Sequence, residues 1–163
     1  MTIRHSTSND LPAIMALIDE GRQKMMAEGN TRQWTKGHPS RQQIADDIDK
    51  GNSYVIADDD DEPVATFALM AGPDPTYAQI YQGQWLNERP YYVIHRVASS
   101  ARVHGVMSRI LNFAFGQTDT VRVDTHEDNQ TMQALLGKHG FSYCGIIHLA
   151  NGDPRMAYMK TID

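Results

Sequence analysis

The chain has one cysteine in 163 residues, so no internal disulfide can form and a reducing compartment suits it. Cys144 lies in the apolar run Phe141 to Leu149 with no Lys, Arg or His beside it to lower its pKa, which reads as a buried inert thiol and not as a nucleophile. Long apolar runs are missing too. None approaches the roughly 20 residues that a membrane-spanning helix needs, and Met1-Thr2-Ile3-Arg4-His5 lacks the charged-then-apolar order of an export signal. No membrane partner is expected, and the cytoplasm is the expected location. A basic surplus is absent: the formal charge is −5 and no dense Lys/Arg stripe occurs, which argues against nucleic acid as a partner. The seven histidines show no ligand spacing such as i, i+4 on one helix, and the acidic run Asp58 to Glu62 reads as a solvated turn, so no metal site is expected. The Gly-Lys-Ser/Thr ending common to nucleotide-phosphate loops is lacking as well.

What the sequence does contain is a periodic succession of short elements. With 40% hydrophobic residues, a chain of this length fits one domain, residues 1–163, around one large core. Thr2 to His5 reads as a strand. A helix follows, with Asn9 or Asp10 as its N-cap, Pro12 in its first turn and Leu11, Ile14, Met15, Ile18 and Met25 on one face. Ser40 and Gln43 form a capping-box pattern ahead of Ile44 and Ile48, and Gly51 ends this second helix. Strands are predicted at Tyr54 to Ala57, Val64 to Leu69, Tyr91 to Ala98, Val121 to Asp124, Phe141 to Ile147 and Met156 to Met159. Further helices span Gly105 to Gly116, with Met107, Ile110, Leu111 and Ala114 inward, and a stretch capped by Asp128 or Asn129 and ended by Gly140. The order is β-α-α-β-β-β-α-β-α-β-β. Helices alternate with strands only in the second half, where the strands before Gly105 and at Val121 are joined by a helical crossover and should be parallel neighbours with a ligand at their carboxyl ends. The stretch Gly72 to Pro90 is long for a connection and carries Tyr77, Tyr81 and Trp85, which fits either a lid or a packed surface loop.

The most informative stretch is Ile94 to Leu111, a strand-like run that passes through a small-residue turn into an amphipathic helix. Such a turn presents backbone N–H groups to an anion. Arg102 and Gly105 sit in the turn, Ser108 and Arg109 lie just inside the helix, and the helix N-terminus adds partial positive charge, a combination suited to phosphate or pyrophosphate.

This order of elements, with Arg102-Val103-His104-Gly105-Val106-Met107 in the turn, resembles the GNAT superfamily of acyl-CoA N-acyltransferases over nearly the whole chain. The resemblance implies an α/β (α+β) fold: a mixed, mostly antiparallel sheet of six to seven strands with a central parallel pair, flanked by about four helices. It implies acetyl-CoA as co-substrate, with its pyrophosphate held by a turn of the form Arg or Gln, two residues, Gly, one residue, Gly or Ala. Arg102 and Gly105 match that form. Met107 replaces the second small residue, and the approach from Ala98 to Arg102 is shorter than usual. The implied contacts run along Arg96, Val97, Ala98 and Ser99, through Arg102, Val103, His104, Gly105, Val106, Met107 and Ser108, to Asn129 and Gln133 of the later helix, whose Gly140-Phe141 ending also fits.

The resemblance further implies direct attack of a primary amine, from a small molecule or a peptide, on the thioester in a ternary complex. A backbone N–H of the splayed strand at Arg96 to Ser99 would hold the oxyanion, and the same segment would pair with the pantetheine arm. A Tyr that the family often places four residues before the Gly of the later segment, to protonate the leaving thiolate, is Leu136 here. A thiol of pKa about 8.5 leaves with less help than an alkoxide or amine would. The same vacancy leaves open a non-catalytic acyl-CoA-binding or sensory role. His95 and His126 are the candidate bases, and Tyr92 and Tyr143 the candidate acids. Each has a structural alternative: a core imidazole at His95, a helix cap at His126, a core ring at Tyr143. Tyr92 shares a strand face with Ile94 and Arg96, pointing away from His95. The terminal strands offer a route to a homodimer across a two-fold axis.

Overall fold

A computed structural model describes residues 1–35 and 37–163. In chain order the elements are β1 (Thr2–His5), α1 (Leu11–Ala27), α2 (Arg41–Asp49), β2 (Ser53–Ala57), β3 (Pro63–Ala71), β4 (Tyr92–Ser99), α3 (Val106–Phe115), β5 (Thr120–Thr125), α4 (Gln130–Lys138), β6 (Ser142–His148) and β7 (Pro154–Thr161). The strands form one sheet ordered β1-β2-β3-β4-β5-β7-β6. Only β4 and β5 run parallel; the other neighbours are antiparallel. This is the mixed α/β arrangement expected from the sequence.

Two layers cover the sheet. On one face the apolar stripes of α3 and α4 (Ile110, Leu111, Ala114 and Leu136) meet Ile94, Val121, Val123 and Tyr158. On the other, α1 and α2 bring Ile14, Ile18 and Ile44 against Val55 and Ala98. The rest of that second face is covered by the 72–90 segment, whose Tyr77 and Trp85 pack on Val93, Ala157 and Met159. Burying a ring of this size contributes on the order of 2–3 kcal/mol, enough to fix a segment that has little regular structure of its own. Arg122 of β5 adds a clamp: its guanidinium lies 4.0 Å from the Trp85 ring centre and 4.1 Å from that of Tyr91. Trp85 Nε1 also donates to the Tyr77 carbonyl at 3.1 Å. Gly83 lies so close to β6 that an added Cβ would overlap the Cys144 carbonyl. The segment is therefore a fixed wall and not a lid.

The helix starts show where local sequence acts. Ser40 Oγ accepts from Gln43 N and caps α2, as the pattern predicts. At α1 Asp10 takes the N-cap position, as one of the two expected residues, but a 3-10 turn, Ser8–Asp10, precedes the helix and the Asp10 carboxylate makes no cap bond, turning back to the Thr7 N–H and to Arg4. Cys144 is buried, and burial pushes its thiol up, in keeping with an inert role.

One irregularity shapes the functional region. Opposite Phe67 of β3, two residues of β4 occupy the place of one, since Thr66 pairs with Ala98 and Ala68 with His95. The extra residue lets Arg96 adopt a φ of 53°, a left-handed conformation that costs a non-glycine residue about 1 kcal/mol. A two-point ion pair to Asp47 of α2, at 2.7 and 2.8 Å, holds it there. The bulge resets the alternation of side chains. Tyr92, Ile94 and Val97 point toward the α3 core, while His95, Arg96 and Ala98 belong to the opposite face. Arg96 thus departs from the face it was expected to share with Tyr92.

Candidate active site

β4 and β5 pair only through Tyr92 with Val121 and Val93 with Arg122, although β4 continues to Ser99 and β5 to Thr125. Past Val93 the two strands diverge and open a slot through the sheet at their carboxyl ends, the position expected for a ligand in such a topology. A cavity of about 300 Å³ fills this slot. Its polar lining follows from strand parity. Val121 and Val123 of β5 and Tyr158 of β7 point into the α3 core, so Asp124 and Arg155 emerge on the opposite face, beside His95 of β4.

The 72–90 segment adds Asp74 to that face. One Asp74 oxygen accepts from the Thr76 N–H and hydroxyl at 2.9 and 2.8 Å, which aims the other at His95 Nε2, 3.2 Å away. The imidazole and the Thr76 groups hold the Asp74 carboxyl down at about 2, against the opposing effect of burial. Tyr77, fully buried, donates its hydroxyl to Asp124 at 2.6 Å. Burial, followed by the Asp124 charge, pushes that phenol well above its ordinary value. Two anionic carboxylates and a carboxylate-oriented imidazole therefore share one cleft. Among the described residues, no group of three or more His, Cys, Asp or Glu gathers in the way a metal ion would need.

A second, narrower cavity of about 130 Å³ runs from the first toward α3. Met25, Val97, Asn129 and Met132 line both, so the two cavities adjoin. The far end of the narrower one meets Ser99 of β4 and Val106 and Met107 of α3. There Gly105, at φ 70°, turns the chain into α3 in a conformation that a side chain would strain. No side chain caps α3, whereas Ser40 caps α2 and Asn129 caps α4. The first N–H groups of α3 are left facing out, with Arg102, His104, Ser108 and Arg109 exposed around them. Val103 leans back on the core. Met107 buries its side chain beneath α3, so the larger residue is accommodated inward. These residues fit a pyrophosphate.

The model of the acetyltransferase (GNAT) family matches residues 19–141. The chain belongs to that family. Among solved structures, a GNAT-family acetyltransferase from Streptococcus agalactiae 2603 is 35% identical and superposes with a TM-score of 0.90, covering 99% of this chain and 95% of that one. GNAT-family acetyltransferases from Listeria monocytogenes 4b F2365 (18% identical, TM-score 0.72, 99% and 94% covered) and Bacillus cereus ATCC 10987 (19%, 0.63, 99% and 98%) share the fold. No curated protein matches the chain.

Within this GNAT frame the residues singled out from sequence fall into two groups. Val97, Ala98, Ser99, Val106 and Met107 line the narrow end, and His95 lines the wide one. Arg96 also lines the wide end and Asn129 both, while several of the rest are engaged elsewhere. His126 is buried, and its Nδ1 accepts the Asp128 N–H at 2.9 Å, so it shapes the turn into α4. Burial, helped by the Arg155 charge, lowers its pKa. Asn129 Oδ1 caps α4 through Met132 N at 3.0 Å, and its Nδ2 donates to Gln33 at 2.9 Å. Gln133 donates to the Glu127 carbonyl at 2.8 Å. Tyr92 packs on the α3 side, across the sheet from His95. Tyr143, expected in the core, is 49% exposed on the edge strand β6 with its ring against Tyr158. Leu136, at the GNAT acid position, is completely buried. Asp74, Asp124 and Arg155 were not singled out, and Tyr77 was noted only as an aromatic of the 72–90 segment. Only Asp124 carried a usable signal, its place at the carboxyl end of a parallel strand.

Proposed function

We infer that this GNAT protein transfers an acetyl group from acetyl-CoA to a primary amine of a small molecule or peptide, by direct attack in a ternary complex. The observation that carries this reading is that the two cavities adjoin along β4. The narrow cavity, which ends at Val106 and Met107 beside the uncapped start of α3, lies along the unpaired edge of β4 next to a cavity holding two carboxylates and a histidine. Bound acetyl-CoA would supply the activated thioester carbonyl. The chain supplies the rest. The N–H groups at the start of α3, with Arg102 and Arg109, hold the pyrophosphate. Residues 96–99, released from β5, offer backbone groups to the pantetheine arm and an N–H to the developing oxyanion. Asp74 and Asp124 draw in a cationic amine, and His95, oriented by Asp74, takes a proton from the ammonium so that the freed nitrogen lone pair can attack the thioester carbonyl. The thiolate leaves without a dedicated acid, since Leu136 offers none and its own pKa is low.

Leu136 also favours a second reading, an acyl-CoA-binding domain without turnover. Free-thiol release from acetyl-CoA over a panel of primary amines separates the two. The transfer reading expects amine-dependent release, reduced at least tenfold in Gly105→Asp, which puts a carboxylate and a strained φ at the anion site. Absence of release with every amine, alongside acetyl-CoA binding by calorimetry, would establish the second reading instead.

A further inference from the structure

Arg155 is the feature of the cleft that acetyl transfer leaves unexplained. Its side chain lines the wide cavity and is only 7% exposed. One Nη donates to the neighbouring Pro154 carbonyl at 2.8 Å. No carboxylate lies within ion-pair distance of it among the described residues, whereas the other cleft guanidinium, Arg96, is matched by Asp47. Burial pulls its pKa below the ordinary arginine range, and the more distant Asp124 and Asp153 offset this only in part. A buried cation without a counter-ion costs folding free energy. A guanidinium retains a planar fork of donors that matches an oxyanion at two points, and here that fork borders the space where the acceptor would sit.

We propose that Arg155 forms an anion subsite in the acceptor cavity, so that the amine acetylated by this protein carries a carboxylate, as a free amino acid does. The proposal rests on the acetyl-transfer reading for the identity of the cavity. Strand order gives the acceptor its polarity. β4 carries His95, β5 carries Asp124 and β7 carries Arg155, all on one face. The amine therefore binds at the β4 side, next to the unpaired strand edge, and the carboxylate two strands away. Charge favours a carboxylate over a phosphate dianion, because one guanidinium shares the cavity with the carboxylates of Asp74 and Asp124. A peptide N-terminus, whose carboxyl is an amide, leaves Arg155 unmatched.

The test compares kcat/KM for the common amino acids with that for their carboxamides, with acetyl-CoA, in the wild type and Arg155→Gln. The wild type should prefer the best carboxylate over its own amide by about ten- to a hundredfold. Arg155→Gln should lose that preference by slowing the carboxylate alone, and Arg155→Lys should restore part of it. Equal use of amide and carboxylate by the wild type, or an equal loss on both in Arg155→Gln, would overturn the subsite while leaving acetyl transfer intact. A second arm needs no turnover. Calorimetry with the N-acetyl amino acids and coenzyme A should show binding to the wild type that Arg155→Gln abolishes. Failure of the whole series to bind the wild type, or equal binding to both proteins, also overturns the proposal. Absence of turnover with any amine together with Arg155-dependent binding would instead refute transfer and keep the subsite.

Discussion

His95 holds the Asp74 carboxylate with Nε2 and still lines the cavity, whereas His126 is buried with Nδ1 occupied by the Asp128 N–H. The two histidines should separate in experiment. His95→Gln removes the base of the proposed mechanism and should lower kcat about a hundredfold or more, with KM for acetyl-CoA within about twofold. His126→Asn keeps an acceptor for the Asp128 N–H and should leave kcat within about threefold. Its effect belongs to stability. Because the folded state holds the His126 pKa below 6.5, the unfolded chain takes up a proton that the folded one resists as pH falls through that value, and stability drops. Thermal melts between pH 7 and 5 should show a smaller loss in His126→Asn than in the wild type; an equal loss would mean that His126 carries none of it. At this scale the sequence was only partly legible. Alternation along β4 separates Tyr92 from His95 correctly, but it misplaces Arg96, because the bulge depends on Phe67 and on the distant Asp47 and leaves no mark in local pattern. Asp74 and Arg155 reach the site from 21 residues before His95 and 29 residues after His126, and only the folded topology brings them together.

Among elements, the 72–90 segment decides whether the acceptor side exists. Its length and aromatics mark it in the sequence, yet they fit a lid and a wall equally. What distinguishes the two is Arg122, a residue of another element, held between Trp85 and Tyr91. Arg122→Ala removes two cation–π contacts and the volume between the rings, and should cost about 2–4 kcal/mol. Limited proteolysis should then cut within residues 72–90, and kcat should fall with the displacement of Asp74. Unchanged resistance to proteolysis would mean that the packing of Tyr77 alone holds the segment. Helix starts illustrate the same division. Ser40 and Asn129 cap as local pattern predicts, while Asp10 is drawn away by Arg4 of β1, a tertiary contact.

Over the whole molecule the succession of helices and strands was legible, because most stretches carry a period of 2 or 3.6 or a short apolar run, and many are bounded by Gly or Pro. Lateral order was less so. β7 is interior, between β5 and β6, so of the two terminal strands only β1 offers a free edge for pairing with another copy. The slot between β4 and β5 is likewise a property of the full sheet, created where a bulged strand parts from its parallel neighbour. It borders two cavities that share the walls Met25, Val97, Asn129 and Met132, an arrangement that the transfer reading uses to hold both substrates together. The one cysteine is buried with a raised pKa, which leaves it unsuited to carry the acetyl group. Initial rates of thiol release, measured while acetyl-CoA and an accepted amine are varied together, test this directly. Double-reciprocal lines that intersect are the predicted result, as direct transfer in a ternary complex requires. Parallel lines would reveal an acetylated form of the protein and contradict it.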